Sequence, residues 1–283
     1  MHHFTLVTLY CLLTSVSCDV PSDNDSVARA VESSLDLINE TGNDVRSRFN
    51  PPPGFKRSKL DSNSFAFYLS HLPLKPAKAK VTFYNGDTKS KQVHEAVVDM
   101  RLGNKNLQQC ADAVIRLRAE YFFARKEYHK ISFALTNGFD VDYLKWMQGY
   151  RVVVKDDKTS WKKMVYPSNS YKDFEKYLEL LFTYAGTLSL AKSLKPKNLK
   201  EISIGDVFIV GGSPGHAVIV VDVAENEKEE KVFMLAQSYM PAQETHILKN
   251  LNDKSSSPWY RNHFSQKLYT PEWTFSAAQL KTW

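Results

Sequence analysis

GDVFIVGGSPGHAVIVVD, residues 205–222, is the stretch whose reading decides the fold. Two β-rich runs, GDVFIV and HAVIVVD, flank Gly211-Gly212-Ser213-Pro214-Gly215, a cluster of turn formers. The spacing predicts a hairpin that pairs Val210 with His216. A charged loop, Glu225 to Glu230, then leads into KVFMLAQSY (231–239), which reads as a third strand in the same meander.

Upstream of this stretch the period changes from strand to helix. LQQCADAVIRLRAEYFFARKEYHK (107–130) carries apolar residues at Leu107, Cys110, Ala111, Val114, Leu117 and Tyr121, the spacing of a helix face, and Asn104 or Asn106 can cap its start. Cys110 then falls near the first turn, on the buried side. Asp140 can cap a second helix carrying Tyr143, Trp146 and Met147. A third is expected from Tyr171 to about Leu194, ended by Pro196. Nearer the start, SFAFYLSHLPLKP (64–76) reads as a short helix stopped by Pro73, KVTFYNGDTK (80–89) as a strand entering an Asn-Gly turn, and HEAVVDM (94–100) as another strand. Helices followed by a strand meander describe one α+β domain.

With 283 residues, 43% hydrophobic and 24% charged, the chain can bury a core, which excludes disordered and coiled-coil classes. The net charge of +6 arises from 37 Lys and Arg interleaved with 31 Asp and Glu, a pattern that suits anionic surroundings such as a cell envelope and predicts no nucleic-acid partner. FTLVTLYCLLTSV, Phe4 to Val16, is too short to span a bilayer and has the size of a secretory signal core, followed by the small residues Ser15 and Ser17. The expected organisation is a signal peptide over 1–17, a polar tether with a short helix over 18–54, and a single domain over 55–283. Export would place the protein in the periplasm, on the envelope or outside the cell. Cys18 is a lipidation candidate, and membrane attachment is expected only through such an anchor. Two of the three cysteines lie in the first 18 residues, so Cys110 has no disulfide partner in the domain.

A cysteine at a helix N-terminus meets unpaired N–H groups that favour thiolate. To act as a nucleophile it needs a histidine base and a group that orients the ring. His216 opens a strand just after the glycine-rich turn. Asp222 is six residues further along that strand, about 20 Å away, and Asp206 pairs opposite Val220, about 13 Å away, so neither reaches the ring. A hairpin loop centred on Asn226-Glu227 brings Gln237 or Ser238 across from His216, and a Gln carbonyl can accept the ring N–H. Cys110, His216 and Gln237 thus form a candidate triad. Oxyanion donors are sought in the Cys110 N–H and in a side-chain amide from Gln109, Gln108 or Asn104. The bland alternatives are a buried hydrophobic Cys110, a strand-ending His216 and a satisfied Gln237. A zinc site from Cys110, His216, His94 and His246 lacks any close-spaced ligand pair, so no metal or cofactor is expected.

The stretches LQQCADAVIRLRAEY, TNGF (136–139), YAGTLSL (184–190), GDVFIVGGSPGHAVIVVD, LAQSYMPAQETHIL (235–248) and PEWTF (271–275) resemble the mainly bacterial family called domain of unknown function 4846, over about residues 55–280. That resemblance implies an exported protein or lipoprotein with no assigned activity. More distantly, Cys110, Gly205-Asp206-Val207, His216 and Gln237 resemble, in order, the papain-like cell-wall hydrolases of the NlpC/P60 and CHAP type. Gln109-Cys110-Ala111-Asp112 departs from the Asp-Cys-Ser-Gly signature common in NlpC/P60, and extra helices separate Cys110 from His216. The resemblance implies a papain-like arrangement, with the nucleophile helix packed on an antiparallel sheet, and peptidoglycan-like peptides as substrate. Two functions are therefore expected to compete: an exported cysteine hydrolase of amide or peptide bonds, and a non-catalytic envelope protein of the same fold that binds a wall fragment or scaffolds other proteins.

Overall fold

The computed structural model describes residues 1–2, 37–156, 158–264 and 266–283. The expected export segment, Cys18 and most of the amphipathic stretch at 31–38 lie outside them. Among the described residues, packed structure is already present at Leu37, ahead of Phe55 where the polar composition suggested it would start. Leu37, Val45 and Phe49 are fully buried, the last two on and just after a single helical turn, α1 (Val45–Arg48), which the Asp44 carboxylate caps by accepting the Ser47 N–H at 2.7 Å. Three well-spaced apolar side chains sufficed to draw a polar segment into the core. Arg57 ties this region to the sheet by donating to the Phe49 carbonyl and pairing with buried Asp222 at 2.6 Å.

Along the chain, α2 (Phe65–Ser70) and β1 (His94–Val97) precede the long helix α3 (Cys110–Ala124). A small pair, β2 (Ser132–Ala134) and β3 (Asp140–Asp142), leads into α4 (Tyr143–Met147) and the hairpin of β4 (Tyr150–Lys155) and β5 (Lys158–Lys163). Asp142, not Asp140, caps α4, its side chain accepting the Leu144 N–H. The expected helix from Tyr171 to Leu194 is two helices, α5 (Tyr171–Tyr184) and α6 (Thr187–Ser193). They are separated by extended Ala185 and Gly186, where the Ser189 hydroxyl takes over as partner of the Gly186 N–H. The expected strand at 80–89 is only a turn with two isolated bridges, Thr82 to Thr88 and Phe83 to Gln243.

The remaining elements are β6 (Lys195–Pro196), β7 (Val207–Val210), β8 (His216–Glu225), β9 (Lys231–Gln237), β10 (His246–Leu248), β11 (Tyr260–Arg261), β12 (Lys267–Tyr269), β13 (Thr274–Ser276) and β14 (Leu280–Thr282). The main sheet is antiparallel in the order β1-β10-β9-β8-β7-β14-β6, with β11 also on β9. The protein is therefore of α+β type. Both faces of its central strands are covered. Ile209, Ala217, Ile219 and Met234 join the core under the helices, while Phe208, Val218, Val220 and Leu235 form a second core with Leu268 and Phe275 of the β12–β13 hairpin. Double burial accounts for the unbroken apolar run AVIVV in β8, where a half-exposed strand would alternate.

The β7–β8 hairpin pairs Val210 with His216, as the turn length predicts. The β8–β9 hairpin does not follow the expected register. Its loop closes between Glu225 and Lys231, and a bulge between Val220 and Asp222 brings Ile219 opposite Ala236. Continued, this register sets Tyr239 across from His216 and Gln237 across from Val218. Gln237 is thus a diagonal neighbour of His216 on the same sheet face, because side-chain direction repeats every two residues.

Candidate active site

Gln109 is the N-cap of α3, so Cys110 is its first helical residue. Neither expected cap is used: Asn104 stands further off, and Asn106 instead accepts the Ala242 N–H through Oδ1 at 2.7 Å. Asp112, in the first turn, accepts the Gln109 N–H through Oδ2 at 2.9 Å. α3 crosses the helix-covered face of β8, where the Ala217 N–H reaches the Cys110 sulfur. Burial nonetheless pushes the Cys110 thiol up, and the Asp112 charge acts in the same direction, against the N–H groups of Ala217, Ala111 and Cys110. The resting side chain is therefore a thiol. Asp112 itself is pushed up to about 7 by burial, with its Oδ1 lacking any hydrogen-bond partner.

His216 begins β8 at the end of the glycine-rich turn and is almost fully buried. Tyr239 meets its ring edge at 4.9 Å, Trp273 lies at 5.3 Å, and Phe275 stacks at 5.9 Å. Nε2 lies 2.9 Å from Gln237 Oε1, whereas Nδ1 has no hydrogen-bond partner among the described residues. An amide oxygen only accepts, so the neutral ring carries its proton on Nε2 and keeps a lone pair on Nδ1. Burial pushes His216 down to about 4, outweighing the upward pull of Gln237 and Glu272. At neutral pH the imidazole is uncharged and available as a base.

Cys110 and His216 line one cleft of about 450 Å³, together with Gln109, Asp112, Tyr239 and Trp273. No hydrogen bond joins the thiol to the ring. The turn that delivers His216 is strapped to the start of α6: Thr187 Oγ1 accepts the Gly212 N–H and donates to the Gly212 carbonyl at 3.0 Å. Gly212 adopts φ +117, and a Cβ on Gly215 would stand 2.4 Å from both Thr187 Oγ1 and the Gly212 oxygen. The break between α5 and α6 is what places Thr187 here.

Of the three oxyanion candidates, only Gln109 lines the cleft. Gln108 is turned away, its amide oxygen held by Arg116 at 2.5 Å, and with Asn104 it borders a separate cavity of about 330 Å³. The structure brings Cys110, His216, Gln237 and Gln109 into one neighbourhood and leaves Gln108 and Asn104 out of it. Ser238, the other residue considered opposite His216, donates instead to the Gln243 and Gln108 carbonyls. His94 and His246 pack edge to face at 5.9 Å behind Gln237. Among the described residues, no cluster of three or more His, Cys, Asp or Glu side chains is arranged to hold a metal ion.

Sequence reasoning missed Asp112, Tyr239, Lys89 and Glu272. Asp112 was within reach of a helical argument, since it shares the first turn with Cys110. Lys89 and Glu272 come from loops far away in sequence, and no spacing rule links them to Gln237.

No helix among the described residues is long and apolar enough to cross a membrane. Neither a curated protein nor a solved structure matches the chain. A family model described as a domain of unknown function (4846) matches residues 45–282, and the chain belongs to that family.

Proposed function

We propose that the protein is a cysteine hydrolase of papain-like arrangement that cleaves an amide or peptide bond, with Cys110 as nucleophile, His216 as general base and Gln237 orienting His216. The observation that carries this reading is the pairing of His216 Nε2 with Gln237 Oε1 at 2.9 Å, which leaves the Nδ1 lone pair unengaged on a residue that lines the cleft together with Cys110. Because the thiol is held protonated and the imidazole neutral, the reaction is written without a resting ion pair. His216 Nδ1 takes the thiol proton as sulfur bonds to the carbonyl carbon. The Cys110 N–H and the Gln109 amide are the donors proposed for the developing oxyanion. The imidazolium then protonates the departing amine, the C–N bond breaks, and water attacks the thioester with His216 again as base.

Export fits the Phe4 to Val16 run, with Cys18 as a lipid anchor, and the NlpC/P60 likeness nominates peptidoglycan-like peptides as substrate. The non-catalytic reading draws on the raised thiol and its missing bond to His216. Acylation by p-nitrophenyl acetate separates the two. The hydrolase shows a burst and an acetyl adduct on Cys110 by intact mass, both lost in Cys110→Ala, and His216→Ala acylates about 10²–10⁴-fold more slowly. Equal acylation with and without His216 sinks the hydrolase and leaves the binding protein.

A further inference from the structure

Gln237 can orient a histidine only if something orients Gln237, because an amide flipped by half a turn would offer N–H where His216 needs an acceptor. Three groups decide the matter. Gln237 Nε2 donates to Glu272 Oε2 at 2.7 Å, in the loop joining β12 and β13. Lys89 Nζ sits 2.8 and 2.9 Å from the two oxygens of Glu272 and donates as well to Gln243 Oε1, so the carboxylate faces Gln237 with acceptors alone. The same Nε2 lies 3.4 Å from His246 Nε2, and the His246 ring is itself fixed, its Nδ1–H donating to the Glu244 carbonyl at 2.8 Å. Both neighbours of the amide nitrogen are acceptors.

We propose that Glu272, charged and held by Lys89, is a positioning residue that sets the tautomer of His216 through Gln237. Polarity passes along one line: ammonium, carboxylate, amide N–H, amide carbonyl, imidazole Nε2–H, and finally a lone pair on Nδ1. The line is buried, with the Lys89 side chain 7% and the Glu272 side chain 9% exposed, so water does not supply alternative partners. Lys89 also lies 5.5 Å from the centre of the Tyr239 ring that meets His216, which packs the base against its own support. Only the functional meaning of this lock rests on the hydrolase reading; the tautomer itself does not.

Long-range 15N–1H spectra of the ring nitrogens test it in the native protein first. Near neutral pH, His216 is expected wholly as the Nε2–H form, and an Nδ1–H form overturns the proposal without any variant having to fold. In Glu272→Gln the residue facing Gln237 can donate or accept, so both tautomers are expected. Acylation of Cys110 by p-nitrophenyl acetate should then slow in proportion to the lost Nε2–H fraction, by twofold or more. A Glu272→Gln protein whose His216 stays entirely Nε2–H also overturns it. If the tautomers shift as expected while acylation ignores His216→Ala, the lock stands and the hydrolase reading fails.

Discussion

Asp112 shares the first helical turn with the thiol and has an oxygen that nothing satisfies, so its charge state is felt by Cys110. Its ionisation is moved from 3.8 to about 7 by burial. The unfolded chain loses this proton first, so the stability that the residue contributes is whole below about pH 4 and falls away as the pH rises to about 7, at about 1.4 kcal/mol per unit at most. Asp112→Asn keeps an acceptor for the Gln109 N–H and is expected to flatten that slope. Denaturant midpoints at pH 4 and pH 8 check it, the variant being the more stable of the two proteins only at pH 8. The same change lowers the thiol, so Cys110 should react faster with iodoacetamide at pH 8, and an unchanged rate contradicts the coupling. At this scale the sequence told part of the story. Chain order and helix position single out Cys110 and His216, and strand parity singles out Gln237, while the groups that tune them come from turns whose approach no local pattern encodes.

Elements place His216 as much as residues do. The turn at 211–215 reaches His216 with its glycines pressed against Thr187, leaving no room for a side chain at Gly215. Gly215→Ala is expected to cost roughly 2–3 kcal/mol and to displace His216 from Gln237. Thermal melts measure the first effect and the acylation burst the second; a variant with native stability and a native burst would show that the strap is idle. Here the β7–β8 pairing was legible, since a five-residue turn fixes it. The next hairpin was not, because its loop closes at Glu225 and Lys231 and not around Asn226-Glu227, a bulge takes back only one residue of the slip, and Gln237 survived the error only because the two-residue slip that remains keeps a side chain on its face. The break in the long helix at Gly186 was likewise hidden behind a continuous apolar stripe.

At the scale of the molecule, the segment from Leu37 to Arg57 is part of the domain. Its polar composition disguised this, since Phe49 and Val45 are few but fully buried and Arg57 supplies the salt bridge to Asp222, with Arg46 a weaker charge nearby. Burial pushes the Asp222 carboxyl up despite Arg57, so removing the guanidinium strands a charge that is already poorly solvated. Arg57→Ala is expected to cost about 3–5 kcal/mol, and the pair Arg57→Met with Asp222→Asn distinctly less. Chemical denaturation decides it, and equal losses in the two proteins would refute the burial argument. The sheet order has a consequence for how the protein is made. β14 inserts between β7 and β6, and Glu272, Trp273 and Phe275 arrive just before it. A chain growing from its N-terminus therefore holds Cys110, His216 and Gln237 well before it holds the wall and the polarity that ready them. On the hydrolase reading, the proposed pair is completed only when these closing strands arrive.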